Sequence, residues 1–255
     1  MKKVYLMVYL NYIMKIVSSI SNLKEVMDIL SSVTNEAKLE FEPDGLRVRA
    51  IDSARIAMVD LFVPKEAFEL YDVQEKSEVS VELEKIKNVI RLPSGSDNIN
   101  MTITGNKIKF VLGSLTKTIS TLDTFVNSPK LPTVDPKNSV VLKKAELERV
   151  LRAANDVRDS IRFSLTDKRF EASSQSDSEE VDLVLEAENL VELKVQESAS
   201  SSYPLDYLTK IIRSVNFSEN LKLAFNNDYP LVIEFTIVGT DATKTARFLL
   251  APRIE

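Results

Sequence analysis

Leu83-Glu84-Lys85-Ile86-Lys87-Asn88-Val89-Ile90-Arg91 and Leu205-Asp206-Tyr207-Leu208-Thr209-Lys210-Ile211-Ile212-Arg213 are the same amphipathic pattern written twice, 122 residues apart. At the same shift Val59-Asp60-Leu61 falls on Val181-Asp182-Leu183 and Ala50 on Ala172. A shift of 124 superposes Leu23-Lys24-Glu25-Val26-Met27 on Leu147-Glu148-Arg149-Val150-Leu151, which places a two-residue length change between that helix and the strands after it. Thr116-Lys117-Thr118 recurs as Thr243-Lys244-Thr245. A chain that repeats at this period is built from two copies of one structural unit.

Each copy reads as helix, strands, helix, strands, so the fold class is α+β with two similar domains. Leu83, Ile86, Val89 and Ile90 share one helical face, with Glu84, Asn88 and Arg91 opposite. Leu205, Leu208, Ile211, Ile212 and Val215 repeat that face, and Leu147, Val150, Leu151 and Ala154 form one in a helix expected over residues 144–157. Asn22 is a candidate N-cap for a first helix running to about Val33. Alternating apolar and polar residues predict strands at 46–51, 99–103, 181–185 and 221–225.

Between the copies, Pro129, Pro132 and Pro136 interrupt any regular ladder. The division expected is therefore an extension at 1–13, a first domain at 14–121, a connector at 122–136 and a second domain at 137–255. The connector carries Phe125, Val126, Leu131 and Val134, more apolar surface than an inert linker needs. At the start, Lys2 and Lys3 precede an apolar run at 4–13 that contains Asn11 and lacks a small-residue cleavage site. An over-extended start with Met14 as the natural one is the expectation, rather than a signal peptide, and so is a cytosolic location. The run is too short to span a bilayer, which takes about 20 apolar residues.

Composition narrows the function. The chain has no cysteine and no histidine, which removes disulfides, thiolate and imidazole metal ligands and the commonest general base. Its formal charge of −5 gives no bulk attraction to nucleic acid, so any such contact must come from local clusters. With five glycines and no GxxxxGK pattern, no phosphate-binding loop is present. The acidic run Ser176-Asp177-Ser178-Glu179-Glu180 lacks calcium-loop spacing and reads as a solvated turn. No cofactor is expected.

Asp44-Gly45-Leu46, continuing through Ala50-Ile51-Asp52-Ser53-Ala54-Arg55-Ile56-Ala57-Met58-Val59-Asp60-Leu61, resembles the most recognisable block of the proliferating cell nuclear antigen family of DNA sliding clamps, in a compact, archaeal-type form. Asp228-Tyr229-Pro230-Leu231 and the ending Leu250-Ala251-Pro252-Arg253-Ile254-Glu255 are similar to family segments as well. The resemblance covers the chain from Met14 onward. It implies a closed trimeric ring of pseudo-sixfold symmetry, with helices lining the hole and antiparallel sheets outside. Such a ring encircles duplex DNA without reading sequence, has no catalytic activity, and is a processivity factor in replication and repair. The partners implied are DNA polymerase, flap endonuclease, DNA ligase and a clamp loader, together with identical or paralogous subunits.

An inner wall must be positive, because duplex DNA carries one negative charge per ~1.7 Å of axis. Taking the helices as 21–34, 81–92, 143–157 and 204–216, they hold 10 basic and 8 acidic residues, which leaves −7 for the rest of a chain whose total is −5. Their solvent faces nominate Lys85, Lys87, Arg91, Arg149, Arg152, Lys210 and Arg213 as DNA contacts. Glu25 and Asp28 dissent, standing where the repeat has Arg149 and Arg152. They are the one feature favouring a specialised subunit of a heterotrimeric clamp, an alternative kept beside a damage-response clamp of restricted client range. For the client-peptide pocket, the resemblance nominates Ile51, Arg55, Met58, Leu131, Pro132, Tyr229, Pro230, Leu249, Ala251, Pro252 and Ile254. For ring closure it nominates two edges, Leu115, Thr116, Thr118 and Ile119 on one and Ser178, Val181 and Leu183 on the other. The enzymatic rival, a hydrolase using Asp52 and Asp60, has no supporting constellation.

Overall fold

The computed structural model describes residues 14–92, 95, 97–123, 126–236 and 244–254. The run at 4–13, Phe125, Thr243 and Glu255 lie outside the described residues. The first copy comprises β1 (Met14–Ser19), α1 (Ile20–Ser31), β2 (Glu36–Glu42), β3 (Gly45–Ile51), β4 (Ala57–Pro64), β5 (Leu70–Asp72), β6 (Ser77–Glu82), α2 (Leu83–Ile90), β7 (Asn98–Thr104), β8 (Lys107–Leu112) and β9 (Leu115–Ser120). The second comprises β10 (Asn138–Lys143), α3 (Lys144–Ala154), β11 (Ser160–Leu165), β12 (Arg169–Gln175), β13 (Glu180–Glu186), β14 (Glu192–Lys194), β15 (Ala199–Pro204), α4 (Leu205–Ser214), β16 (Asn220–Phe225), β17 (Leu231–Thr236) and β18 (Thr245–Leu250).

The offset of 124 holds from β1/β10 through β3/β12 and becomes 122 by β4/β13. The length change therefore lies in the β3–β4 turn, later than the sequence placed it, and Ala50 is the counterpart of Ser174 rather than Ala172. Helix ends are also shorter than expected, because periodicity continues past the last intrahelical bond. Asn22 does not cap α1. Ser19 does, accepting from the Asn22 N–H at 3.1 Å, while the buried Asn22 side chain donates to Ser18 Oγ and the Ala67 carbonyl.

Each copy builds a four-stranded and a five-stranded antiparallel sheet. In the second, these are β13-β12-β11-β15 and β14-β10-β16-β17-β18; in the first, β4-β3-β2-β6 and β5-β1-β7-β8-β9. β18 pairs with β4 over Thr245↔Phe62 to Leu250↔Ala57, which fuses one sheet from each copy into a continuous sheet of nine strands. Gly45 is required where β3 begins: at φ 153° a Cβ would sit 2.3 Å from the Val63 carbonyl oxygen of β4. The helices pack as α1 on α2, α3 on α4 and α1 on α4, a row in the order α2-α1-α4-α3. With eight to twelve residues each, none would persist alone in water; their buried faces against the sheets hold them.

Candidate nucleic-acid interface and peptide groove

Along the helix row the outward side chains are mostly cationic. Arg152 and Arg213 are exposed and form no ion pair among the described residues. Arg149 reaches Glu146 at 2.6 Å, Lys210 lies 3.7 Å from Asp206, Arg91 meets Glu84 at 2.6 Å and Lys85 meets Glu82 at 2.6 Å. These are exposed pairs of low net value, which leaves the cations free to exchange a carboxylate for a phosphate. Lys87 is placed differently: it bridges α2 to α1 through Asp28 at 3.0 Å, with a fifth of its side chain exposed.

The dissenting acids of α1 are accounted for within the chain. Asp28 is held by Lys24 at 2.6 Å and by Lys87. Burial alone would raise its pKa, but the bonds and charges of Lys24 and Lys87 outweigh that and hold it below the usual carboxylate range. Glu25 pairs at 3.2 Å with Lys244 of the second copy. Both acids serve packing between elements, and Lys24 of α1 remains largely exposed. Lys24 and Lys244 were missed in the sequence because their roles depend on which elements become neighbours.

On the face of the nine-stranded sheet turned away from the main core, five directly paired residues form a row: Ile51, Met58, Leu249, Val232 and Ala224. Five strands at about 4.8 Å make this row roughly 19 Å long. Met58, Leu249, Val232 and Ala224 are buried in a small cluster of their own, with Leu131 and Val134 of the connector packed on it. Ile51, at the open end, is 38% exposed. Ala224, Val232 and Val134 were not nominated from the sequence; strand alternation marks the first two as facing one side, but not what covers that side.

The rest of the nominated residues surround this row. Tyr229 and Pro230 precede the Leu231↔Leu250 pair, alongside Ala251 and Pro252, and all four are half-buried. The buried Tyr203 hydroxyl donates to the Tyr229 carbonyl at 2.9 Å and fixes that turn. Ile254 is 82% exposed and Pro132 is exposed. Arg55 sits at φ 59° in the β3–β4 turn. The connector is tied down at Glu40, which accepts from Ser128; burial opposes ionisation there, but the bonds from Lys76 and Ser128 and the charge of Lys38 bring its pKa to about 2.

Asp52 organises the β3–β4 turn. Its carboxylate accepts from the N–H groups of Ala54 (3.0 Å), Ile56 (2.7 Å) and Ala57 (2.7 Å) and from the Tyr207 hydroxyl of α4 (2.9 Å). Ile56 in turn accepts from the Ala251 N–H at 2.8 Å. A carboxylate with four donors has no lone pair left for acid–base work, and Asp60 is held by Arg49 at 2.9 Å. Residues 176–179 form the tight turn between β12 and β13, with Ser176 N–H donating to the Glu179 carbonyl at 2.8 Å. On the two nominated closure edges, Leu115, Thr116, Thr118 and Ser178 are exposed and Val181 half-buried. Ile119 and Leu183 turn their side chains into the core and offer only backbone to an edge.

Two fused copies of a helix-and-sheet unit, with a cationic helix row and an apolar strand row covered by a proline-rich connector, define a two-domain clamp subunit. The family models for the N-terminal and C-terminal domains of proliferating cell nuclear antigen match residues 14–124 and 130–253. DNA polymerase sliding clamps of Thermoplasma acidophilum and Picrophilus torridus are 42% identical over 239 residues and 41% over 238, each covering 93% of this chain and 97% of the relative. Among solved structures, that of the proliferating cell nuclear antigen of Thermococcus kodakaraensis is 26% identical with a TM-score of 0.83, covering 94% of this chain and 100% of that one. An Archaeoglobus fulgidus homologue, bound to the C-terminal region of a flap endonuclease, has a TM-score of 0.86 at 24% identity, covering 95% and 99%. The chain belongs to the proliferating cell nuclear antigen family of DNA polymerase sliding clamps, and it is a non-catalytic processivity factor. No helix among the described residues is long and apolar enough to cross a membrane.

Proposed function

We propose that the chain closes into a trimeric ring around duplex DNA in the cytoplasm, at the nucleoid, and holds polymerase, flap endonuclease and ligase there after a clamp loader places it. Domains at 14–121 and 137–255 form the two halves of each subunit, joined by the connector at 122–136. What supports this reading is a helix row with exposed cations on every helix, in which the two acids of α1, Glu25 and Asp28, are paired within the chain. Lys85, Arg91, Arg149, Arg152, Lys210 and Arg213 supply phosphate contacts that carry no sequence information, as sliding requires, and Lys87 acts there mainly by neutralising Asp28. Clients bind the groove floored by Ile51, Met58 and Leu249, walled by Leu131, Pro132 and Arg55, and flanked by Tyr229, Pro230, Ala251, Pro252 and Ile254. The Archaeoglobus complex supports a flap-endonuclease tail as one occupant.

Retention on DNA tests this reading. Loaded onto a closed circular duplex, the protein stays with the DNA through gel filtration in high salt; cutting the circle once releases it. Release that is independent of cutting means binding without encirclement. A solved structure from Sulfolobus tokodaii is a complex of two different clamp chains, an arrangement other than a single repeated subunit. Glu25 and Asp28 lend that arrangement no support here, being neutralised within the chain.

A further inference from the structure

The joint inside the chain is a template for the joint between chains. β18 ends the five-stranded sheet of the second copy and pairs with β4, the edge of the four-stranded sheet of the first. The corresponding edges, β9 in the first copy and β13 in the second, are each paired on one side only among the described residues, with β8 and β12. The ladders Met101↔Phe110 and Ile108↔Ile119 correspond to Leu223↔Ile233 and Leu231↔Leu250, so Ile119 is the counterpart of Leu250. The observed pair Leu250↔Ala57 then translates to Ile119↔Glu179, Leu249↔Met58 to Thr118↔Glu180, and Arg247↔Asp60 to Thr116↔Asp182. Resting on the ring reading, this gives a register for one copy's β9 on another's β13.

The two edges carry opposite charge. Residues 98–121 hold Lys107, Lys109 and Lys117 and no acid, whereas residues 176–188 hold Asp177, Glu179, Glu180, Asp182, Glu186 and Glu188 and no base. None of these nine side chains forms an ion pair among the described residues, although salt bridges are spread over the rest of the surface. In the translated register, Lys109 and Glu180 flank Thr118 in one row on the face away from the core. Leu115, 40% exposed, comes opposite Leu183 on the other face.

We propose that this charge polarity directs ring closure. β9, with its own Lys117 and backed by Lys107 and Lys109 of β8, accepts the acidic β13 of a second copy of this chain, while β9–β9 and β13–β13 pairing are rejected by like charge. Head-to-tail addition is thereby selected, and because one chain carries both halves of the match, the ring needs no sister subunit.

Charge reversal tests this by sedimentation of the full chain, with circular dichroism to confirm folding. In the outward row of the translated joint, Lys107→Glu/Lys109→Glu places acids on both sides, and Glu180→Lys/Asp182→Lys places lysines on both sides. Each variant is expected to need roughly a hundredfold higher concentration to trimerise, from like-charge juxtaposition at every joint. The fourfold variant, with both edges exchanged, recovers trimers. An equal mixture of the two reversed proteins gives mixed dimers but no closed trimer, since alternating edges cannot close on an odd number. Trimers from either reversed protein at wild-type concentration, or no recovery in the fourfold variant, overturn the charge rule while the ring stands. A wild-type chain that never trimerises removes the ring itself.

Discussion

Replacing Tyr207 by Phe deletes one hydroxyl and tests whether the Asp52 carboxylate couples the helix row to the groove. The bond removed, 2.9 Å to Asp52, is made to a charged acceptor, a class that contributes about 1.5–3 kcal/mol. Asp52 keeps its three N–H donors and Tyr207 is only half-buried, so a loss at or just below the bottom of that range, about 1–2 kcal/mol, is expected. For a chain of this size that corresponds to a fall in Tm of roughly 2–8 °C. Asp52→Ala is costlier, since it strands three backbone donors, and the loss should reach about 3 kcal/mol or more. The assay is urea unfolding of the four members of a double-mutant cycle at one fixed protein concentration, because assembly adds to apparent stability. Tyr207→Phe should cost about 1 kcal/mol less once Asp52 is gone. Coupling within about 0.3 kcal/mol of zero refutes the reasoning and reduces the pairing to coincidence. Because Ile56 also holds Ala251, both single variants should weaken client-peptide binding without touching a groove side chain.

Acid and alkali should act on the same link from opposite sides. Burial opposes ionisation of Asp52, but the Ala57, Tyr207, Ile56 and Ala54 donors outweigh it and depress its pKa, so its stabilisation is complete above about pH 4 and fades as pH falls further. Burial, then Asp52, pushes Tyr207 up to about 12; its contribution is full below about pH 10 and is lost as pH rises toward 12. A stability curve of Tyr207→Phe should be flatter on that alkaline limb. Arg152→Ala/Arg213→Ala should lower DNA affinity equally for all sequences and make the slope of log K on log salt shallower by about 0.9 for each phosphate left without its arginine, read by fluorescence anisotropy. An unchanged slope places the DNA elsewhere. Removing residues 251–255 should weaken a fluorescent client peptide by roughly tenfold or more, whereas Lys85→Ala leaves it within about twofold. Met58→Ala should cost about 2–3 kcal/mol in unfolding, since its side chain is 5% exposed beneath the connector.

What the sequence made legible was what repeats locally. The faces of α2 and α4 follow from spacing alone, and the strand alternation around Leu46 and Leu221 gave β3 and β16 nearly to their ends. Contacts between residues far apart in the chain were not legible: the pairing of β18 with β4, Glu25 with Lys244, Tyr207 with Asp52. Each joins side chains whose own neighbourhoods give no sign of the other. Helix ends failed for a different reason. Asn22 has the chemistry of a cap, but capping depends on where the backbone leaves the strand, and Ser19 stands there.

The groove row also fixes a stoichiometry. Carried to the other joint by the same correspondences, Ile51, Met58, Leu249, Val232 and Ala224 become Gln175, Glu180, Thr118, Lys109 and Thr102. One seam is apolar; its counterpart sets a lysine and a glutamate in the same row. In the ring we propose, the apolar seam recurs once per subunit rather than once per domain, so client seats on it would lie a full subunit apart, with room to work in turn on the same stretch of DNA.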